Sequence, residues 1–123
     1  MRAMFVRNLA DCDEFLAGDS TTLREILHPE KARLDLGYSL AHAVVKPGDT
    51  SLRHRLSVSE VYYVLAGEGD MHIDGETRRV GPGDAIYIPP HALQCITNTG
   101  RADLRFLCIV DPAWRKEYEE VLE

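Results

Sequence analysis

From Tyr38 onward the chain alternates between short apolar runs and turn-forming clusters. The runs "YSLAHAVV", "EVYYVLA", "AIYI", "LQCITN" and "LRFLCIV" are separated by "KPGDT", "GEGD", "DGE", "GPGD", "PPHA" and "TGRAD". Runs of this length, rich in β-branched and aromatic residues and punctuated by Gly, Pro and Asp, predict antiparallel strands forming an all-β sandwich or barrel. Two segments carry a helical signal instead. In "TTLREILHPE", Thr22 and Glu25 have capping-box spacing, Leu23, Ile26 and Leu27 share a helical face, and Pro29 is the stop. In "DPAWRKEYEEVLE", Asp111 is placed to cap, Pro112 takes the first helical position, and Trp114, Tyr118, Val121 and Leu122 line one side. The expected organisation is a single domain over 1–123: an N-terminal extension with a short helix over 1–35, a β-barrel core over 36–110, and a C-terminal helix over 111–123.

Strand alternation sorts the polar residues that could carry chemistry. His54 and Leu56 point one way and Arg53 and Arg55 the other. Glu60, Tyr62 and Val64 share a face, as do Gln94, Ile96 and Asn98, and as do Leu104, Phe106 and Cys108. If these faces are the interior, they give an apolar cavity with a few convergent polar groups, which describes a small-molecule site. His42, in the preceding strand, and His91, in the "PPHA" turn, are further candidates for that cavity. His72 shares a face with Asp70 and Asp74 and is expected to meet solvent, while His28 beside Pro29 reads as a dipole partner at a helix end. The residues leave two readings of His54, Glu60 and Gln94 open: donors to a metal, or a hydrogen-bonded set that satisfies itself and fixes strand register.

The spacing of these residues resembles the two sequence motifs of the cupin family. The first runs Gly48, five residues, His54, one residue, Leu56, three residues, Glu60, six residues, Gly67. The second runs Gly83, five residues, Pro89, one residue, His91, two residues, Gln94, three residues, Asn98. In the family, Leu56 and Gln94 would normally be histidine and His91 would normally be glycine. The resemblance implies a double-stranded β-helix, or jelly-roll, and a divalent metal (Mn, Fe, Ni or Zn) held by His54, Glu60 and Gln94. Around it, Tyr62, Leu56, Asn98, Phe106, Cys108, His42 and His91 are the pocket candidates for an organic ligand. It also implies oxygenase-like or isomerase-like chemistry and a homodimer. The alternative is a metal-free small-molecule-binding or sensor protein without catalysis, which the changes at Leu56 and Gln94 favour.

Composition narrows the partners. The 123 residues are 45% hydrophobic, enough for one core, and the formal net charge is −6 with a pI near 5.3. With no block of Lys or Arg, neither nucleic acid nor an anionic membrane is an expected partner. No apolar run reaches the roughly 20 residues of a membrane helix, and charges interrupt the N-terminus where a signal peptide would need its apolar stretch. Cys12, Cys95 and Cys108 have no metal-type spacing, so free thiols in the cytoplasm are expected. There is no GxSxG elbow, phosphate-binding glycine loop or CxxC pair.

Overall fold

The computed structural model describes residues 4–122, so the expected boundaries at 1 and 123 lie outside the described residues. The described residues form eleven strands: β1 (Glu14–Leu16), β2 (Thr22–Leu27), β3 (Ser39–Val45), β4 (His54–Leu56), β5 (Ser59–Ala66), β6 (Gly69–Ile73), β7 (Glu76–Val80), β8 (Ala85–Ile88), β9 (Gln94–Asn98), β10 (Leu104–Asp111) and β11 (Glu119–Val121). They form two antiparallel sheets, one in the order β1-β2-β3-β10-β5-β8 and the other in the order β11-β4-β9-β6-β7. The strand pairings among the described residues are antiparallel, and the strand order crosses over repeatedly, as a jelly-roll requires.

Turn chemistry explains the short connections. Asp74 (φ 49°) and Gly75 (φ 85°) both take positive φ in the β6–β7 hairpin, the conformation that a two-residue Asp-Gly turn supplies. Gly67 (φ 83°) answers a second need: a Cβ there would stand 2.6 Å from the Asp103 carbonyl oxygen, so only glycine lets the β5 end lie against the start of β10. His91 takes φ 69° in the turn before β9, so it adopts the backbone conformation for which glycine is the usual choice.

The inner faces of the sheets pack Val64, Phe106, Leu104, Ile88, Ile96 and Met71 into one core. Tyr62 and Phe106 stack within it, ring centroids 4.5 Å apart. The alternation read from sequence holds: Glu60, Tyr62 and Val64 are buried, and so are Gln94, Ile96 and Asn98. Among the described residues no helix is long and apolar enough to cross a membrane. No disulfide joins Cys12, Cys95 and Cys108.

Both helix expectations give way to strands. Thr22–Leu27 is β2, paired with β3 in the register Thr22↔Val44, Arg24↔His42. The side chain that shapes this segment's entry is Asp19 rather than Thr22: its Oδ1 accepts from the Thr21 amide (3.1 Å) and the Thr21 hydroxyl (2.7 Å), turning a β1–β2 hairpin instead of capping a helix. A ten-residue helix is marginal in isolation, whereas the edge of β3 offers a full ladder. The extension expected over 1–35 therefore contributes β1 and β2 to the barrel, and the core begins well before residue 36.

Helix in this region is confined to one turn at Pro29–Ala32 (α1). Its N-cap is His28, whose Nδ1 accepts from the Glu30 amide, so His28 sits at the start of a helix and not at the end of one. The C-terminal segment is likewise extended, apart from a 3-10 turn at Lys116–Tyr118. Its backbone groups bond elsewhere. The Trp114 amide donates to Ser39 Oγ (2.9 Å), the Trp114 carbonyl accepts from His28 Nε2 (2.8 Å), and Glu119–Val121 pair with β4.

Candidate functional site

Cross-strand register brings the two motifs together. His54 on β4 lies opposite Gln94 on β9, in one sheet, while Glu60 on β5 faces them from the other. Gln94 donates its side-chain amide to Glu60 Oε1 at 2.9 Å, bridging the sheets, and both residues are buried. A cavity of about 200 Å³ opens beside this bridge, lined by His54, Glu60, Leu56, Tyr62, Phe106 and Cys108 among others. Its outer part is formed by the β1–β2 hairpin, through Phe15 and Asp19, and by the C-terminal segment, through Trp114 and Glu119.

The polar groups are held from behind. His54 Nδ1 donates to the Leu52 carbonyl at 3.0 Å, since a carbonyl can only accept. That bond leaves Nε2 to face Asp19 Oδ2 at 3.6 Å and Glu119 Oε2 at 3.9 Å. Asp19 is anchored by Thr21 through its other oxygen, and its carbonyl accepts from the Leu52 amide at 2.7 Å. Glu119 projects from β11 opposite Leu56.

Burial dominates the titration of the inner groups. The Glu60 carboxyl is pushed up to about 8 by burial, against the lowering effect of the Gln94 bond and with added repulsion from Asp19 and Glu119. Glu60 is therefore largely protonated at neutral pH. Burial also raises Glu119, partly offset by His54, with Asp19 raising it further and the Trp114 side chain lowering it. Tyr62 and Cys108 are both pushed well above their ordinary values by burial and then by Glu60, so each is neutral and neither is an activated nucleophile.

The sequence candidates divide clearly. His54, Glu60, Leu56, Tyr62, Phe106 and Cys108 reach the cavity, and Gln94 supports it through Glu60. Three do not. His42 lies on the outer face of β3, where its Nε2 accepts from Arg105 Nε at 3.3 Å, and burial together with Arg105 and Arg24 lowers its pKa. His91 is exposed in its turn. Asn98 is consumed by structure, donating to the Val45 and Ala102 carbonyls and accepting from the Gly100 amide. Asp19, Trp114 and Glu119 were not legible as site residues, because each reaches the cavity from a segment with no motif. The "GDST" turn signal around Asp19 was the one available hint.

The sequence profile of the Cupin domain family matches residues 41–110. The chain belongs to the cupin family. This cupin is 39% identical over 110 residues to an uncharacterised protein of Methanocaldococcus jannaschii, covering 89% of this chain and 87% of that one. It is 33% identical over 88 residues to an oxalate-binding protein of Thermotoga maritima, covering 71% of this chain and 68% of the relative. Among solved structures, a predicted oxalate decarboxylase of Thermotoga maritima superposes with a TM-score of 0.77 at 22% identity, covering 88% of this chain and 99% of that one. That likeness establishes the shared fold.

The metal that the cupin motifs imply meets a changed donor set. Leu56 puts a buried aliphatic side chain at one motif position. Gln94 turns its NH₂, which has no lone pair to offer, toward Glu60, and its oxygen is buried without a partner. Among the described residues no three His, Cys, Asp or Glu side chains are set to hold a metal ion. As arranged, the motif residues do not fit a divalent ion. They form a carboxyl–amide bridge beside an imidazole, with the Gln94 oxygen left without a partner.

Proposed function

We propose that this cupin binds a small organic molecule in the cavity between its two sheets, without a resident metal. The observation that carries the reading is the convergence of His54 and Glu60, with Asp19 and Glu119, on a chamber whose apolar wall is Leu56, Tyr62 and Phe106. An imidazole and a carboxyl lining one chamber are side chains of the kind that isomerase-like proton transfer uses. Oxygenase-like chemistry belongs to the second reading, in which Mn, Fe, Ni or Zn is held by His54, Glu60 and Gln94. The buried, unpartnered Gln94 oxygen favours that reading, because rotating the amide would supply the missing lone pair.

The deciding experiment is elemental analysis of protein purified without chelator, beside a thermal-shift screen of small organic compounds on chelator-treated protein. The expected result is little bound metal and compound-induced stabilisation that a Leu56→Trp substitution removes by filling the chamber. Near-stoichiometric metal, lost in both His54→Ala and Glu60→Ala, would replace the first reading with the second. We further propose that the protein is a cytoplasmic homodimer. The exposed Tyr63, Leu65 and Tyr87, together on the outer face of the six-stranded sheet, support self-association.

A further inference from the structure

A row across the outer face of β2, β3 and β10 brings three nitrogen-bearing side chains together. Arg24 stands directly opposite His42 in the β2–β3 register, and Arg105 lies two residues from Leu107, the β10 partner of His42. They border a hollow of about 190 Å³, with Leu9, Val44 and Lys46 among its other walls. His42 is only 4% exposed and forms part of that lining. Arg105 Nε donates to His42 Nε2 at 3.3 Å, so the neutral ring carries its proton on Nδ1. Among the described residues no acceptor takes that proton. The two guanidiniums are equally unmatched. Arg105 spends only its Nε, the Arg24 side chain makes no hydrogen bond or ion pair, and neither has a carboxylate within 4 Å. Two carboxylates line the hollow: Asp103 already pairs with Lys46 at 3.2 Å, and Glu14 comes within that reach of neither arginine. In a chain of formal net charge −6, donors this concentrated and without acceptors call for an anion.

We propose that this hollow binds a tetrahedral oxyanion, the phosphoryl group of inorganic phosphate or of a small phosphomonoester. The terminal nitrogens of Arg24 and Arg105 each offer a fork for two oxygens, and His42 Nδ1 supplies a further N–H from the hollow's wall. A phosphoryl group has enough oxygens to engage all three side chains, whereas a planar carboxylate has two. Arg105 is already steadied by its bond to His42, so less freedom is lost on binding. Leu9 and Val44 give the organic part of a monoester an apolar surface. The hollow lies on the opposite face of the sheet from the core and the inner cavity, so the proposal stands independently of the reading above.

The test is titration of the full chain with sodium phosphate, phenyl phosphate and sodium acetate at constant ionic strength, read by NMR on the histidine rings. His42→Gln assigns the His42 resonances. Both phosphates are expected to move them saturably, with dissociation constants in the millimolar range or below and acetate at least about tenfold weaker. Tighter binding of phenyl phosphate supports a monoester, and equal or weaker binding supports the free ion. Arg24→Gln and Arg105→Gln are each expected to weaken phosphate about tenfold or more, with melting midpoints near that of the wild type. Arg101→Gln, which removes an exposed cation outside the hollow, is expected to leave binding unchanged. Equal weakening by all three substitutions would reduce the effect to net charge and overturn the proposal, as would acetate binding as tightly as phosphate. Phosphate binding lost in Leu56→Trp would place the ion in the inner cavity and overturn it too. So would His42 resonances that never saturate; a sedimentation mass then lowered in the arginine variants would assign the row to a contact between copies.

Discussion

Glu60 shows how one residue ties stability to pH. Its folded-state carboxyl lies at about 8 against an ordinary value of 4.5, so the native state holds a proton that the unfolded chain releases. The contribution is fully present below about 4.5 and is lost as pH rises through about 8, the reverse of the usual salt-bridged carboxylate. At roughly 1.4 kcal/mol per pKa unit the effect amounts to a few kcal/mol. Glu119, raised in the same direction, adds a smaller slope of the same sign. Chemical denaturation of chelator-treated protein across this range is expected to show stability falling with pH, and Glu60→Gln is expected to flatten most of that fall. An unchanged slope in the variant would show that Glu60 is ionised in the native state.

At the scale of elements, β11 is the least conspicuous strand and the one the site most depends on. It covers the open edge of β4, with Glu119 opposite Leu56 and Val121 opposite His54. Two further bonds clamp it: the Ser57 amide donates to the Tyr118 carbonyl at 2.9 Å, and the Leu122 amide to the Arg53 carbonyl at 2.9 Å. Ending the chain after Arg115 removes these ladder bonds and bares the edge of β4. The expected outcome is a folded barrel with a midpoint lowered by several degrees, by about the 4–8 °C per kcal/mol of a small domain. A truncated protein that melts with the full chain would mean that β11 pairs weakly in solution.

For the whole molecule, the outer face of the six-stranded sheet is where a partner would matter. Tyr63, Leu65 and Tyr87 are 41%, 43% and 64% exposed there, a concentration of large apolar side chains that a monomer has to leave in water. Sedimentation equilibrium is expected to give twice the 13.8 kDa chain mass, and Tyr63→Glu is expected to shift the protein toward the monomer. The cavity lies on the inner side of that sheet, so the monomeric variant should keep the compound-induced thermal stabilisation of the wild type. A wild type that sediments as a monomer at all concentrations would end the dimer proposal.

The sequence by itself determined the strands from Ser39 to Asp111 and which residues share a face of each, because period-two alternation and turn residues are local properties of the chain, while the meeting of the two motifs took the register of β4 on β9 and the Gln94–Glu60 bond. It also placed His54, Glu60, Leu56, Tyr62, Phe106 and Cys108 on the cavity side, and Gln94 beside them. Only the tertiary structure decided the two ends. Both "TTLREILHPE" and "DPAWRKEYEEVLE" satisfy helical spacing, yet each lies against a strand edge whose unpaired backbone groups outweigh a weak local preference. The β4 edge lies far along the chain from the segment it captures, and the β3 edge follows β2 only after the Pro29–Ala32 turn, so no pattern within either segment encodes the outcome. With the ends in place, Asp19 and Glu119 stand beside His54 in the cavity next to the carboxyl–amide bridge.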